Sequence, residues 1–500
     1  MKGKLYLFAI GGTGARVLKS LIMMLASGVN LDAAGIVPVL VDLDKSNGSL
    51  AETLNLIEQY KRIHQSVKGS TKKGIFFETP LSLPKGQTSH ALNLHVAKDG
   101  SKAQQSTLKE FIAYDNLGAS NTKYLVDLLF SKKNLEDNLA VGFRGQPHIG
   151  AITFYNITKI QGFVSLCQEI SPDDRVFFIS SIFGGTGAAG FPSLSKIFRD
   201  PNNGLPNQKI RSEVPVGALL VLPYFTLEEK VDGEFIDSNL FMTKTKLALS
   251  YYSDHLSGYN AMYYLCEPYR ERKYENQMGS EEQDNDAHFI ELFGAKSIFH
   301  FASLQEEKLE IPQYFEYAAR NEGKAILTFK DLEENPAEGQ VSFKKQLTAL
   351  AYIYKYFNPR NKAGKQVTPY YLGKDWTNDF SPHFFNSTFY REIFIPFLQQ
   401  YAAWLHELGD VKHGKFALAP FNLDVHDDAI GDFIKDQKIR EQKGLFGMIG
   451  NRSAIHFDFF NTELNNATGK LNKDHKEELR FLELLFLGIS NLFEKEKVFN

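Results

Sequence analysis

Residues 175–198 read RVFFISSIFGGTGAAGFPSLSKIF. The first eight residues, RVFFISSI, are apolar without alternation, the pattern of a strand buried on both faces of a parallel sheet. Gly184, Gly185, Gly187 and Gly190 follow, and the apolar spacing then becomes helical. Glycine permits tight turns and close backbone approach, and a helix start presents N–H groups and a favourable dipole. A strand, a glycine loop and a helix in that order suit the binding of phosphate. The same arrangement opens the chain as LYLFAIGGTGARVLKSLIMMLASG, residues 5–28, so GGTGA occurs at two separate helix starts. A lone short glycine motif is equally well explained as a packing turn. Two near-identical copies are harder to explain that way. Neither copy ends in the Lys and Ser/Thr of a P-loop, which sets that NTPase class aside.

Working outward, IVPVLVDLD at 36–44 reads as a second buried strand ending in carboxylates. VPVGALLVLPYF at 214–225 and AMYYLCEPY at 261–269 read as further strands. Residues of about 50–138 are mixed and charged, with helical patches such as SLAETLNLIEQYKRI, and read as an insertion. HFIELFGAKSIFHFASL, from 288, has helical spacing with apolar residues all round, as a buried central helix does. Helical patterns follow in GQVSFKKQLTALAYIYKYF and FYREIFIPFLQQYAAWLHELGD. The predicted class is α/β with a mostly parallel, Rossmann-type sheet covered on both faces. The predicted organisation is a nucleotide-binding domain over 1–285, a central core helix over 286–310, and a mixed or mainly helical C-terminal region over 311–500.

A net charge of −3 gives no global signal for nucleic acid. The abundance of phenylalanine, 41 residues, points to an aromatic core. Cys167 and Cys266 both sit among apolar residues and read as two buried free thiols of a reducing cytosol. No signal-peptide core is visible at the start, and no stretch reaches the ~18–20 apolar residues that span a bilayer. FLELLFLGISNLF, at 481–493, reads as an internally packed helix. The expected location is therefore cytoplasmic.

FGGTGAAG resembles the signature loop of the tubulin/FtsZ family, with Phe183 in place of its first glycine. LFAIGGTGARVL resembles that family's first phosphate loop, and VDLDKSNG its acidic loop near magnesium. RGQPHIG, at 144–150, resembles the loop facing the terminal phosphate, and LVLPYF the passage flanking the ribose. The matches come in family order over residues 5–225. The region after about 365 matches neither FtsZ nor tubulin, so the resemblance is to divergent bacterial tubulin-like proteins. It implies GTP or GDP with Mg²⁺, bound by Gly11, Gly12, Thr13, Gly14, Asp42, Asp44, Arg144, Gly145, Gly184, Gly185, Thr186, Gly187 and Tyr224. Magnesium would be held through phosphates and water near Asp42 and Asp44, with no direct protein ligand. Arg16 occupies the position of a base-contacting Asn in the family; contact with phosphate or ribose, or a solvent-facing pose, stay open. Asn285 and Asp286 are candidates for reading guanine, or simply for capping the central helix.

The resemblance also implies head-to-tail self-association, with partner proteins or membranes meeting the C-terminal region. Family members hydrolyse GTP with acidic residues from a neighbouring subunit. The pattern that carries them has no clean copy here; Asp331, Glu333 and Glu334 are the local candidates. Two alternatives stand beside this reading. One is a nucleotide-bound scaffold or signalling component that neither polymerises nor hydrolyses. The other is a Rossmann-like dinucleotide enzyme using the carboxylates at the end of the second strand. His148, His288 and His300 read as separate structural histidines, and Ser180 and Ser181 as strand-end hydroxyls bonded to backbone.

Overall fold

The computed structural model describes residues 3–44, 47–92, 94, 107–139, 143, 146–227, 240–266, 273–274, 286–316, 343–358, 368–409, 433, 439–443, 449–453, 455–496 and 498. Six strands form the main sheet: β1 (Lys4–Ile10), β2 (Gly35–Val41), β3 (Arg175–Ser181), β4 (Val216–Val221), β5 (Ala261–Leu265) and β6 (Gln313–Glu316). Their spatial order is β2-β1-β3-β4-β5-β6, and every pairing is parallel. Beyond β2 the chain touches the sheet again through parallel bridges at Leu81 and Ala91. The chain thus steps outward from β1 to β2 to the 81–91 segment. It then begins again at β3 and steps outward the other way. The reversal falls between β1 and β3, the place where open α/β sheets bind ligands.

Both faces of the sheet are covered, as the unalternating strands predict. Leu5, Leu7, Ala9, Phe177, Ile179, Leu219 and Val221 enter one apolar cluster, together with α1 (Gly11–Ala26) and α2 (Gly48–Val67). Tyr6, Phe8, Ile10, Val176, Phe178, Ala218 and Leu220 enter the other. That face carries α3 (Pro147–Tyr155), α4 (Gln161–Glu169) and α5 (Gly185–Arg199). Helix α6 (Leu240–His255) adds Tyr252 to the same cluster. The helices after β1 and β3 therefore lie on opposite faces.

The central helix α7 (Phe289–Ser303) begins and ends inside the expected 286–310 range. His288 caps its start, and the buried Arg175 at the foot of β3 donates to the Phe301, Ala302 and Leu304 carbonyls at its end. An arginine here satisfies carbonyls that the helix leaves unpaired. Gly294 lets α7 lie close to the sheet: a Cβ there would stand 2.8 Å from Leu219 Cδ2 and 3.1 Å from Val17.

The C-terminal region contributes α8 (Phe343–Phe357), α9 (Ile395–Gly409), α10 (Phe457–Thr468) and α11 (Glu477–Lys495). A two-stranded antiparallel pair, Ile439–Lys443 with Ile449–Ser453, accompanies them. Residues of α8 to α11 belong to the same apolar cluster as α1, α2 and α7. Trp404 Nε1 donates to Ser20 Oγ on α1 at 3.2 Å. Helix α2, inside the expected insertion, buries Leu56, Ile57, Tyr60 and Ile63 in that cluster and covers the sheet beside α1. No helix among the described residues is long and apolar enough to cross a membrane. Cys167 is buried, but Cys266 is exposed because it follows the last residue of β5 and leaves the sheet there.

Gly14 sets the distance between α1 and the sheet. A Cβ there would lie 2.8 Å from the Ala9 carbonyl carbon and 2.9 Å from the Ile179 oxygen, both rigid backbone. Gly14→Ala is expected to lower stability by about 1–3 kcal/mol through overpacking. A denaturant titration checks this; unchanged stability would mean that α1 does not seat where described.

Candidate functional site

The two glycine loops leave β1 and β3, which are hydrogen-bonded neighbours, at the same end of the sheet. Gly11 turns the chain with φ +71°, a left-handed conformation that favours glycine. A Cβ on Gly11 would stand 3.4 Å from Thr186 Cβ and 3.5 Å from the Gly187 nitrogen, so the loops lie side by side with room for no more than a methyl between them. Gly187 packs so tightly on the end of β3 that a Cβ would fall 2.5 Å from the Ser181 oxygen. Ser180 Oγ donates to the Ser181 carbonyl at 3.1 Å, which is the backbone role expected of it.

Neither α1 nor α5 has a side-chain hydrogen bond at its N-cap, Ile10 and Gly184 respectively. Helix α3 likewise begins without one, at Gln146. Gly150 near the start of α3 faces Ala189 near the start of α5, where a Cβ would come within 2.5 Å of the Ala189 Cβ. The starts of α1 and α5 therefore meet at the switch point; α3 packs beside them but offers few donors, since Pro147 has no N–H and the Ile149 and Gly150 amides bond the Gln146 carbonyl. The first N–H groups of a helix have no intrahelical partner, and their joint dipole favours an anion.

The carboxylates at the end of β2 close the other side. Thr186 Oγ1 donates to Asp42 Oδ1 at 3.3 Å, and the Asp44 amide donates to the same oxygen at 3.2 Å. Asp42 thus reaches past β1 to the second glycine loop. Burial pushes its carboxyl up to about 7, and the nearby Asp44 charge adds to this, against hydrogen bonds that favour the anion. Asn47 is buried beside the first loop, caps α2 by accepting from the Leu50 amide, and stands over Gly12. Sequence reading passed over it, although an Asn directly before a helical run is an ordinary N-cap signal.

Arg16 does not face solvent. It is buried; its Nε donates to Glu291 Oε1 at 2.6 Å and its Nη2 to Tyr224 Oη at 2.7 Å. Tyr224 Oη in turn donates to Glu291 Oε1 at 3.1 Å. Tyr224 is itself fully buried, so its hydroxyl serves this network. Glu291 Oε2 also accepts from the His288 amide, completing the capping box of α7. His288, not the expected Asn285 or Asp286, caps α7, and Asp286 is exposed. Arg144, Gly145, Asn285, Asp331, Glu333 and Glu334 lie outside the described residues.

The expected histidines are separate: His288 caps α7, His300 bonds Tyr263 Oη at 2.7 Å, and His148 stacks on Phe130. Among the described residues no group of three or more His, Cys, Asp or Glu side chains is placed to hold a metal ion.

Asp42 makes one pH-dependent contribution to folding. Its folded pKa lies above the unfolded value, so the native state keeps a proton that the unfolded chain has lost. Its contribution to stability is full below the ordinary carboxylate range and fades as pH rises through about 7. Asp42→Asn should remove this fall, so melting temperatures measured from pH 4 to 8 should decline less steeply than in the wild type. Parallel profiles would contradict it. No family model matches the chain and no curated protein matches it, so the site's own geometry carries the functional reading.

Proposed function

We propose that the chain is a tubulin-like, guanine-nucleotide-binding protein. The observation that carries this is the pair of neighbouring GGTGA loops, each opening a helix without a side-chain cap, on adjacent parallel strands at the switch point. This donor set fits a phosphate chain: many backbone N–H groups, no bulky side chain at the turns, and helix dipoles aimed the same way. Gly11, Gly12, Thr13 and Gly14 would hold one part of the chain, and Gly184 to Gly187 the other. Asp42 and Asp44 stand at the edge, where carboxylates can position the water shell of a phosphate-bound Mg²⁺. Magnesium would supply charge neutralisation on the phosphates.

The ordered loops of the sequence support the tubulin/FtsZ assignment over other Rossmann-like folds. The dinucleotide alternative needs an acidic residue at the end of β2 that faces a ribose. Asp42 is bonded instead to Thr186 of the second loop, which favours the phosphate reading. We further propose cytoplasmic, head-to-tail assembly with nucleotide between subunits and hydrolysis completed by a neighbouring copy. Partner proteins or membranes would meet the C-terminal region.

The test begins with the nucleotide released on denaturing the purified protein, identified by chromatography, and continues with phosphate release from Mg²⁺–GTP over a protein concentration series. A guanine nucleotide, with turnover per subunit rising above a threshold concentration, is the expected result. Guanine nucleotide without turnover would favour the non-hydrolysing scaffold. A nicotinamide or flavin would overturn the reading. Gly185→Val places a branched side chain at the first residue of α5 and should weaken GTP binding about tenfold or more, the loss of a charge-assisted hydrogen bond or two.

A further inference from the structure

Eleven large hydrophobic residues are exposed among the described residues, and eight of them lie on three helices that cover one face of the sheet. Helix Asn121–Leu129 contributes Tyr124, Leu125, Leu128 and Leu129, with Leu128 82% exposed. This helix is seated by its other side. Val126 packs against the apolar cluster of that face, Tyr114 Oη donates to Asp127 Oδ1 at 2.5 Å, and Lys123 Nζ lies 4.8 Å from the centre of the Tyr114 ring. Its charged residues thus turn to the protein and its apolar ones to water, the reverse of an ordinary surface helix. Helix α3 ends in Tyr155, 78% exposed, and α6 carries Met242, Leu247 and Tyr251. Leu249 and Tyr252 seat α6 on the cluster, which leaves Leu247 and Tyr251, four residues apart, on its outer side. The three helices meet around His148, which stacks on Phe130 at the end of the first and feels the charge of Lys244 on the third. The other three exposed hydrophobics lie elsewhere, Ile311 and Tyr314 at the edge strand β6 and Leu372 in a turn.

We infer that this helical face is an interface between two copies of the chain, paired about a two-fold axis. Size is the first argument. At ~150–250 Å² for a large side chain, the exposed fractions of the eight residues amount to on the order of 1,000 Å². A stable protein interface takes about 800 Å² from each partner, and the largest apolar patch of an ordinary monomer is about 300–600 Å². Charge is the second. Segments 107–137, 147–155 and 240–255, which carry the eight residues, contain six lysines and six acidic residues. A face without net charge has no pull on anionic lipid or nucleic acid, and two such faces do not repel one another. A closed two-fold contact uses the same patch twice, so one mixed-charge apolar face suffices for both partners. The glycine loops lie at the end of the sheet and this surface lies on its side. The pairing is therefore independent of the nucleotide reading and distinct from head-to-tail assembly.

Sedimentation equilibrium of the full chain without added nucleotide, over a concentration series, tests the inference. The wild type should form a dimer and stop there, whereas a head-to-tail contact would give an open series of larger species. Leu128→Lys and Leu247→Lys, each made alone, should weaken the dimer about tenfold or more. Both side chains are exposed, so the melting temperature of the variants should match that of the wild type at concentrations where both are monomeric. Ile311→Lys, equally exposed but off this face, should leave the dimer intact. A wild type that remains monomeric at about 100 μM would overturn the inference. So would a dimer that neither Leu128→Lys nor Leu247→Lys weakens. A monomer that floats with phosphatidylglycerol vesicles, and is released from them by Leu128→Lys, would overturn it in favour of a lipid surface.

Discussion

Two adjacent parallel strands must send their helices to opposite faces of one sheet, and the rest of the site depends on that requirement. Helix α1 leaves β1 toward one apolar cluster and α5 leaves β3 toward the other. Each turn has to be made within a few residues, because the strands are hydrogen-bonded neighbours. Glycine at 11, 14 and 187 allows it, and the two loops approach at Gly11 and Thr186, where an added Cβ would already be in contact. The first N–H groups of the two helix starts, which have no partner within their own helices, are thereby brought together. A concentration of donors that no side-chain cap satisfies is a reason to look for an anion.

Buried charge ties this corner to the remainder of the chain. Arg16 pairs with Glu291, and Lys19 lies 2.6 Å from Glu52 and 3.8 Å from Glu407. Glu407 also accepts from the Ala287 amide just before α7. The first helix is thus bonded to α2, to the start of the central helix and to the C-terminal α9. Breaking one partner of such a pair leaves an unpaired buried charge, which is costly even where the pair itself adds little. The C-terminal helices also share the apolar cluster of the sheet face.

The legible part of the fold was the part written in local pattern. Unalternating apolar runs give β1 to β5, and GGTGA followed by helical spacing gives α1 and α5. Their adjacency in the sheet was not legible, because strand order is set by the crossovers and not by any one segment. The start of α7 was misplaced by a few residues for a similar reason. Asp and Asn upstream are good caps in isolation, but His288 with Glu291 forms the capping box, and Glu291 is drawn there by Arg16, 275 residues away in sequence. Arg16 and Tyr224 read as ligand contacts because their loops match; that both bond the buried Glu291 was not legible, because Glu291 lies on a helix far along the chain. Cys266 read as buried from its apolar neighbours, yet the strand ends at Leu265.

The central claim is that both glycine loops hold one ligand. Amide hydrogen exchange of the full chain, with and without Mg²⁺–GTP, tests it most directly. The account expects residues 11–16 and 184–190 to gain protection together, in proportion to nucleotide occupancy, with the start of α2 at 47–50 following them. Protection of one loop without the other, or protection confined to a different part of the sheet, would contradict it.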